Sequence, residues 1–479
     1  MFRSALILAA FLMGMANTGA DRPNILLILS DDHSFPHLGC YGNENIRRFN
    51  ITPNLDRFAQ EGMRFDRAYT AAPQCAPSRI SIFAGRSPVR LGVTRFAQPP
   101  RGDVRFFTDV LRDNGYWVGL DGRHQHLDGR AKEAAHIDAT LKAEGMQNLQ
   151  NRFDHFVRRA STKGDHLEKV ADRVAAALDT VPNGKPFFLY FGFNQPHRRF
   201  GQEHEGIDPA QLKLPPDWPD LPEVRTDYAR FLSDVQDLDR GFGMIMDLLN
   251  KRDLKDNTIV FFMGDNGEAL FRGKGTLFDR GTHVPLVIRW PRQIKSGTTC
   301  DALISGVDLA PTFLAAAGLK APREMYGHSF LSDLLGTGTT KRKYVFAERG
   351  WHWGPITRTD GLDLSRSVNT TRYHYIYNAL PGRSYTPVDM PGKPAWTAVQ
   401  TANETATLSP LHQRLYFQNP RPIVELYDLA SDPLELNNLA GSRKHKAIET
   451  ELREELEAWM IREHDFLPLP THALQNQNK

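Results

Sequence analysis

Five short apolar runs stand out from a mixed background between Asn24 and Leu319. They are Asn24–Leu29 (NILLIL), Trp117–Leu120, Phe187–Phe193 (FFLYFGF), Thr258–Met263 (TIVFFM) and Pro285–Trp290 (PLVIRW). Each is nearly continuous rather than alternating, which predicts strands buried on both faces, as in a parallel sheet. Helical patterns lie between them, over Asn54–Gln60, Phe106–Asn114, His166–Leu178, Asp227–Asn250 and Leu309–Ala317. Strand–helix alternation of this kind predicts a doubly wound α/β layer. The proline-rich stretch from Arg199 to Glu223 shows no clear element, and a long connection of that sort often forms part of a binding site.

After Leu335 the texture changes. A polar, glycine-containing join (Gly336–Lys343) leads into short strands at Tyr344–Glu348 and Tyr373–Tyr377, and the chain closes on an amphipathic helix, Lys446–Glu463. We expect a main α/β domain over residues 21–335 and a smaller C-terminal α+β unit over 344–479, with a short antiparallel sheet and a terminal helix. At the other end, Arg3 precedes an apolar run from Ala5 to Met15, and Thr18-Gly19-Ala20 are small. The run is shorter than the roughly twenty residues of a membrane span. Residues 1–20 therefore read as a cleaved signal peptide, and the mature chain as exported, periplasmic or secreted, without stable membrane insertion.

Composition narrows the partners. Fifty-nine Lys and Arg against 56 Asp and Glu leave a net charge of +3 on 479 residues. That near balance argues against nucleic acid, whose binders carry a strong basic excess. Three cysteines, Cys40, Cys75 and Cys300, are an odd number for an exported chain. Cys40 and Cys300 either pair or are buried as small apolar residues.

The strongest local signal is Cys75-Ala76-Pro77-Ser78-Arg79, followed by a run that Gly85 can close. Pro77 suits the first position of a helix, where its missing N–H costs nothing. That places Cys75 at a helix N-terminus, where free N–H groups and the dipole favour an anion. Arg79, one turn on, faces the same anion. Chance supplies Cys-x-Pro-Ser-Arg in about one such chain per thousand. On local physics alone a reactive thiolate also remains open, because a helix N-terminus lowers a thiol pKa.

Other chemistry clusters at predicted strand ends. Asp31-Asp32 follow the first strand and Asp265-Asn266-Gly267 follow the fourth. Loops at the carboxyl ends of parallel strands converge on one edge of the sheet. Three carboxylates and an amide gathered there call for a hard cation, Ca²⁺ more readily than Mg²⁺ because it tolerates an irregular oxygen shell. Asp121-Gly122-Arg123-His124-Gln125-His126 and Asn194-Gln195-Pro196-His197-Arg198 follow two further strands. Arg47, Arg48, Arg95, Arg101, Arg198 and Arg199 could line an anionic pocket, and Trp351-His352-Trp353 could either stack on a sugar ring or fill a domain interface.

Cys75-Ala-Pro-Ser-Arg79 resembles the signature of the type I, formylglycine-dependent sulfatases. The resemblance runs from Arg22-Pro-Asn-Ile to Glu425-Leu-Tyr-Asp-Leu-Ala-Ser-Asp-Pro433, and around Asn194–Arg198 it is similar to the heparan N-sulfatase (sulfamidase) branch. It implies the alkaline-phosphatase-like fold and oxidation of Cys75 to formylglycine (3-oxoalanine) by a maturation enzyme. It also implies one Ca²⁺ held by Asp31, Asp32, Asp265, Asn266 and the modified Cys75. Arg79, Arg123, Lys274, His126 and His197 match the family's remaining catalytic positions. Here the chain departs from the usual Gly-Lys-x-His: Arg123 stands at the lysine position, and His124 rivals His126 for the histidine role. The implied function is hydrolysis of sulfate esters or N-sulfates on carbohydrates. A metal-dependent phosphomonoester or phosphodiester hydrolase of the same superfamily is the alternative.

Overall fold

The computed structural model describes residues 22–96, 98–129, 135–157, 161–201, 206–338 and 340–474. The signal peptide expected at residues 1–20 lies outside them. In chain order the first ten strands are β1 (Asn24–Ser30), β2 (Met63–Phe65), β3 (Ala68–Tyr69), β4 (Trp117–Asp121), β5 (His155–Val157), β6 (Phe187–Gly192), β7 (Thr258–Gly264), β8 (Leu286–Arg289), β9 (Thr298–Cys300) and β10 (Ile304–Ser305). Eight of these form one sheet in the order β5-β4-β6-β1-β7-β8-β2-β9. β5, β4, β6, β1 and β7 run parallel. The fifth predicted strand departs from that reading, since β8 pairs antiparallel with both β7 and β2. Its Leu286–Arg289 segment is still buried throughout. A continuous apolar run reports burial on two faces but not strand direction.

Period-two geometry explains how β1 serves two cores at once. Ile25, Leu27 and Leu29 pack with Ile80 and Phe83 of the helix Cys75–Ala84 and with Phe107 and Phe313. Leu26 and Ile28 face the other way, against Leu55, Val170, Leu238 and Phe242. Helices therefore cover both sides of the sheet, as expected for a doubly wound layer. The helix Pro222–Lys251 extends five residues further toward the N-terminus than its periodicity predicts, because Pro222 supplies a permissible first turn.

The C-terminal unit holds an antiparallel sheet of β11 (Val345–Trp351), β12 (Leu362–Asn369), β13 (Tyr373–Asn378) and β14 (Val424–Asp428), in that order. The helix Lys446–Arg462 buries Leu452, Leu456, Trp459 and Met460 against Val368, Tyr375 and Leu426 of this sheet. β12 and β14 were not apparent from sequence, since both mix charged residues into the run. Two helices, Pro394–Glu404 and Pro410–Phe417, leave this sheet and join the core of Pro222–Lys251 through Trp396, Val399 and Tyr416. Cys40, Cys75 and Cys300 are all free thiols, so the pairing of Cys40 with Cys300 is not made.

Candidate active site

Strand register brings the chemistry to one edge. Ser30 of β1 is level with Gly264 of β7, and Leu29 is level with Gly192 of β6. Asp31-Asp32 and Asp265-Asn266 therefore leave the sheet side by side, as the convergence of strand ends requires. Asp31 N–H donates to the Gln195 carbonyl (3.0 Å), and Asp265 N–H to the Ser30 carbonyl (3.2 Å). Asp32 takes a left-handed backbone (φ 62°), which turns its amide onto Asp265 Oδ1 (2.9 Å). Gly192 is required where it stands, because a Cβ there would meet the Arg123 side chain at 3.0 Å and the Tyr190 hydroxyl at 2.6 Å.

The helix Cys75–Ala84 enters from the side. All ten of its residues are buried, and Gly85 closes it in the left-handed conformation (φ 62°). Cys75 is its first residue and Pro77 its third, a correction to the reading of Pro77 as the first. The physical argument survives, since the missing N–H still falls in the turn whose donors are unpaired. The Cys75 thiol donates toward Asp31 Oδ1 (3.4 Å) and Asp32 Oδ1 (3.6 Å). Burial pushes this thiol well above its ordinary pKa, and Asp32 and Asp265 add to the rise against Lys274 and Arg79. Burial thus works against the thiolate that the helix N-terminus alone would favour.

Cations interleave with the carboxylates. Arg79 reaches Asp265 Oδ2 through Nε (2.9 Å) and Nη2 (2.8 Å), lies 3.5 Å from Asp31 Oδ2, and bonds the Tyr190 hydroxyl. Arg123 also has a left-handed backbone (φ 53°) and pairs with Asp31. Burial lowers its guanidinium to about 10, still charged at neutral pH. Lys274 Nζ bridges Asp32 Oδ2 (2.9 Å) and Asp389 Oδ2 (2.7 Å). Burial opposes the Lys274 charge, yet these two carboxylates hold it above its ordinary range.

The rival histidines separate cleanly. His126 offers a ring nitrogen within 4.8 Å of ligand atoms of Asp31, Cys75 and Asp265. His124 packs its ring edge-on against Phe156 at 5.6 Å, so the geometry brings His126 and not His124 to the cysteine. His197 Nε2 lies 3.7 Å from Asp32 Oδ2, while its Nδ1 bonds the Arg198 carbonyl. Burial lowers the pKa of both His126 and His197, so both rings are neutral in the free site.

These residues fit a hard cation. Asp31, Asp32, Cys75, Arg79, Asp265 and Asn266 have no exposed surface. Asn266 Oδ1 is buried without a hydrogen-bond donor, an orphan that a metal ion would satisfy. Burial raises the Asp32 carboxyl to about 6, and Asp265 and Asp389 contribute to that rise against Lys274. Charge of this kind invites a cation.

At the mouth, the Trp351 carbonyl accepts from Gln74 Nε2 (3.2 Å) and Phe96 N–H (3.1 Å), tying the end of β11 to the residue before Cys75. Phe96 meets His126, His352 and Trp353 edge-on. His352 is buried, whereas Trp353 is 49% exposed. Of the arginines that could line an anionic pocket, Arg198 pairs with Asp227, Arg101 with Asp103, Arg95 with Gln98, and Arg47 and Arg48 with Gly39 and Gln211. Sequence reasoning missed Tyr190 and Asp389. Tyr190 carried a weak signal as the one hydroxyl in FFLYFGF, but Asp389 carried none.

Fold and side-chain set together define an alkaline-phosphatase-like hydrolase site, and similarity to known proteins is more specific. A family model described as Sulfatase matches residues 23–319, and one described as N-sulphoglucosamine sulphohydrolase, C-terminal, matches residues 267–415. The chain belongs to the sulfatase family and is a sulfuric ester hydrolase, and the second match makes it similar to the sulfamidase-like branch. It is 28% identical over 460 residues to an ulvan-active sulfatase of Formosa agariphila, covering 94% of this chain and 82% of that one. It is 26% identical over 485 residues to human N-sulphoglucosamine sulphohydrolase, covering 92% and 90%. The solved structure of BT4656 with its substrate D-glucosamine-2-N,6-O-disulfate superposes with a TM-score of 0.68 at 21% identity, covering 93% and 99%. The phosphonate monoester hydrolase of Agrobacterium radiobacter superposes at 0.71 with 18% identity, covering 92% and 96%. These last two likenesses concern the fold.

Proposed function

We propose that the protein is an exported sulfatase acting on sulfated carbohydrates, with Cys75 converted to formylglycine by a maturation enzyme and one divalent ion, Ca²⁺, beside it. The observation that carries this reading is the Cys75 side chain at the start of a wholly buried helix, between Asp31 and Asp32 and one turn from Arg79. The carbohydrate substrate follows the relatives, which include an ulvan-active sulfatase and an N-sulphoglucosamine sulphohydrolase.

Asp31, Asp32, Asp265 and Asn266 would hold the metal together with residue 75. Bound there, a divalent ion polarises oxygen and lowers the pKa of a hydroxyl beside it. Residue 75, once oxidised to formylglycine and hydrated, would offer an oxygen nucleophile with a second hydroxyl able to release sulfate afterwards, which a plain alcohol lacks. The chain's own residues do the rest. Arg79, Arg123 and Lys274 neutralise the sulfuryl oxygens in a dry, preorganised setting, where such charges act most strongly. His126 lies on the residue-75 side, placed to exchange a proton with its hydroxyls. His197 is at the mouth, placed to protonate the leaving oxygen or nitrogen once a bound anion offsets its lowered pKa. Trp353 and Phe96 offer faces to a sugar ring, with Trp351 and His352 backing them.

Mass spectrometry of the peptide carrying residue 75, from a host with the maturation enzyme, tests the proposal directly. A carbonyl or its hydrate is expected; an intact thiol in fully active protein would remove it. The role of His197 has its own test. His197→Ala should slow sulfated sugars, which have poor leaving groups, by about 10²–10⁴-fold. Aryl sulfates should lose far less, and equal losses on both would remove the role.

Metal removal gives a further expected result. Chelation should abolish turnover and lower the melting temperature. Ca²⁺ at about a hundredfold over its dissociation constant should restore about 2.7 kcal/mol. The metal-free protein should also respond to pH through two opposed sets of buried groups. Burial raises Asp32 to about 6 and Glu268 and Glu348 to about 7, so each holds a proton in the folded state that it has lost in the unfolded one, and its contribution to stability falls as pH rises from about 4 to about 7. Burial lowers His33, His37, His126, His197 and His352, whose contributions rise over the same window. Ca²⁺ competes with the proton on Asp32, so the rise in melting temperature on adding Ca²⁺ should grow as pH goes from about 4 to about 6, which thermal melts with and without the ion would show.

A further inference from the structure

Asp389 stands at a partly open side of the cluster. Its carboxylate is 2.7 Å from Lys274 Nζ through Oδ2 and 3.8 Å from His352 Nε2 through Oδ1. The same Lys274 nitrogen is 2.9 Å from Asp32 Oδ2, so Asp32, Lys274, Asp389 and His352 form a polar chain from the buried carboxylates out to the aromatic wall. The Asp389 side chain is 29% exposed and that of His197 28%, whereas Asp31, Asp32, Arg79 and Asp265 are fully buried. A sulfate seated on Arg79, Arg123 and Lys274 must therefore turn its sugar toward Asp389 and His197. The backbone at Asp389 is left-handed (φ 63°), a conformation few side chains adopt freely.

An ionised carboxylate accepts hydrogen bonds and donates none. It holds a hydroxyl, amine or ammonium, and it repels another anion. We propose that Asp389 determines specificity: the site takes a sugar that presents a hydrogen-bond donor beside its sulfated atom, and rejects one bearing a second sulfate or a carboxylate there. This rests on the sulfated-carbohydrate reading above. It goes further by assigning the substituent next to the scissile bond to a residue of the C-terminal unit.

The test compares the matured wild type with Asp389→Asn, since asparagine tolerates the left-handed backbone best. Three probes are used: 4-nitrophenyl sulfate, a monosulfated glucosamine or galactose that the wild type hydrolyses, and the same sugar with a second sulfate on the adjacent carbon. The wild type should favour the monosulfated sugar over the disulfated one by about tenfold or more in kcat/KM, the worth of a hydrogen bond to a charged group. Asp389→Asn should lower all rates, because Lys274 loses a partner. Beyond that common loss, the monosulfated-to-disulfated ratio and the monosulfated-to-aryl ratio should each fall by about tenfold. A wild type indifferent to the second sulfate overturns the proposal without any variant, and so do unchanged ratios in Asp389→Asn. If the wild type cleaves aryl sulfate and no sulfated sugar, the substrate reading itself fails and this one with it. Selectivity lost while sugars are still hydrolysed sinks neither and is the expected result.

Discussion

Cys75→Ala should leave a folded protein with essentially no turnover. The substitution removes the thiol, or in the matured chain the carbonyl, of one side chain at a wholly buried helix start whose neighbours, Asp31, Asp32 and Arg79, are held by other partners. Its melting curve should therefore stay close to that of the wild type. Activity should fall on the order of 10⁴-fold or more, the usual scale for deleting the nucleophile of a covalent mechanism. Cys75→Ser sharpens the result. Serine offers a plain alcohol without a second hydroxyl to expel sulfate, so no sustained turnover is expected from it either. Steady-state kinetics alongside thermal melts provide the check. Either variant turning over near the wild-type rate would mean that residue 75 is not the reacting group.

Arg79→Met should have the largest structural effect of any single change at the site. The guanidinium has no exposed surface and is shared among Asp265, Asp31 and the Tyr190 hydroxyl. Removing it leaves Asp265 Oδ2 without its cation and Asp31 with Arg123 alone, and breaking a buried pair from one side costs about 3–5 kcal/mol. Arg79→Lys keeps the charge but not the planar fork that meets Asp265 through two nitrogens, so an intermediate loss is expected. Added Ca²⁺ should recover part of the stability of Arg79→Met, because a cation between Asp31 and Asp265 supplies the missing positive charge. Activity should fall by about 10²–10³-fold through the loss of one oxyanion-stabilising group. Urea midpoints with and without Ca²⁺ measure the stability effect, and a wild-type midpoint for Arg79→Met would contradict the geometry.

The two effects differ in how visible they were beforehand. Cys75 and Arg79 are four residues apart on one helix, and that closeness made their partnership legible in the sequence. The strand-end pairs Asp31-Asp32 and Asp265-Asn266 were legible for another reason: each directly follows a continuous apolar run, and parallel strands deliver such residues to a common edge. His124 and His126 could not be separated in this way. They stand two residues apart in one loop, and only the left-handed turn at Arg123 and the short helix Gln125–Asp128 decide which ring faces the cysteine. The direction of β8 was likewise hidden, because burial on two faces looks the same for either orientation.

Local pattern thus determined the five central strands of the doubly wound layer and the helices beside them, though not the short strands β2, β5 and β9 toward its edges. It also determined the closure of the cysteine helix at Gly85 and the gathering of acids at strand ends. These follow from periodicity and turn chemistry, which act over a few residues. The tertiary structure alone decided that Tyr190 braces Arg79 and that three carboxylates surround a protonated thiol. It also decided that Asp389, 115 residues beyond Lys274, completes the mouth of the site. Such contacts join distant segments through electrostatics in a buried, low-dielectric space. Their strength depends on distance and burial, and neither is written in the neighbouring residues.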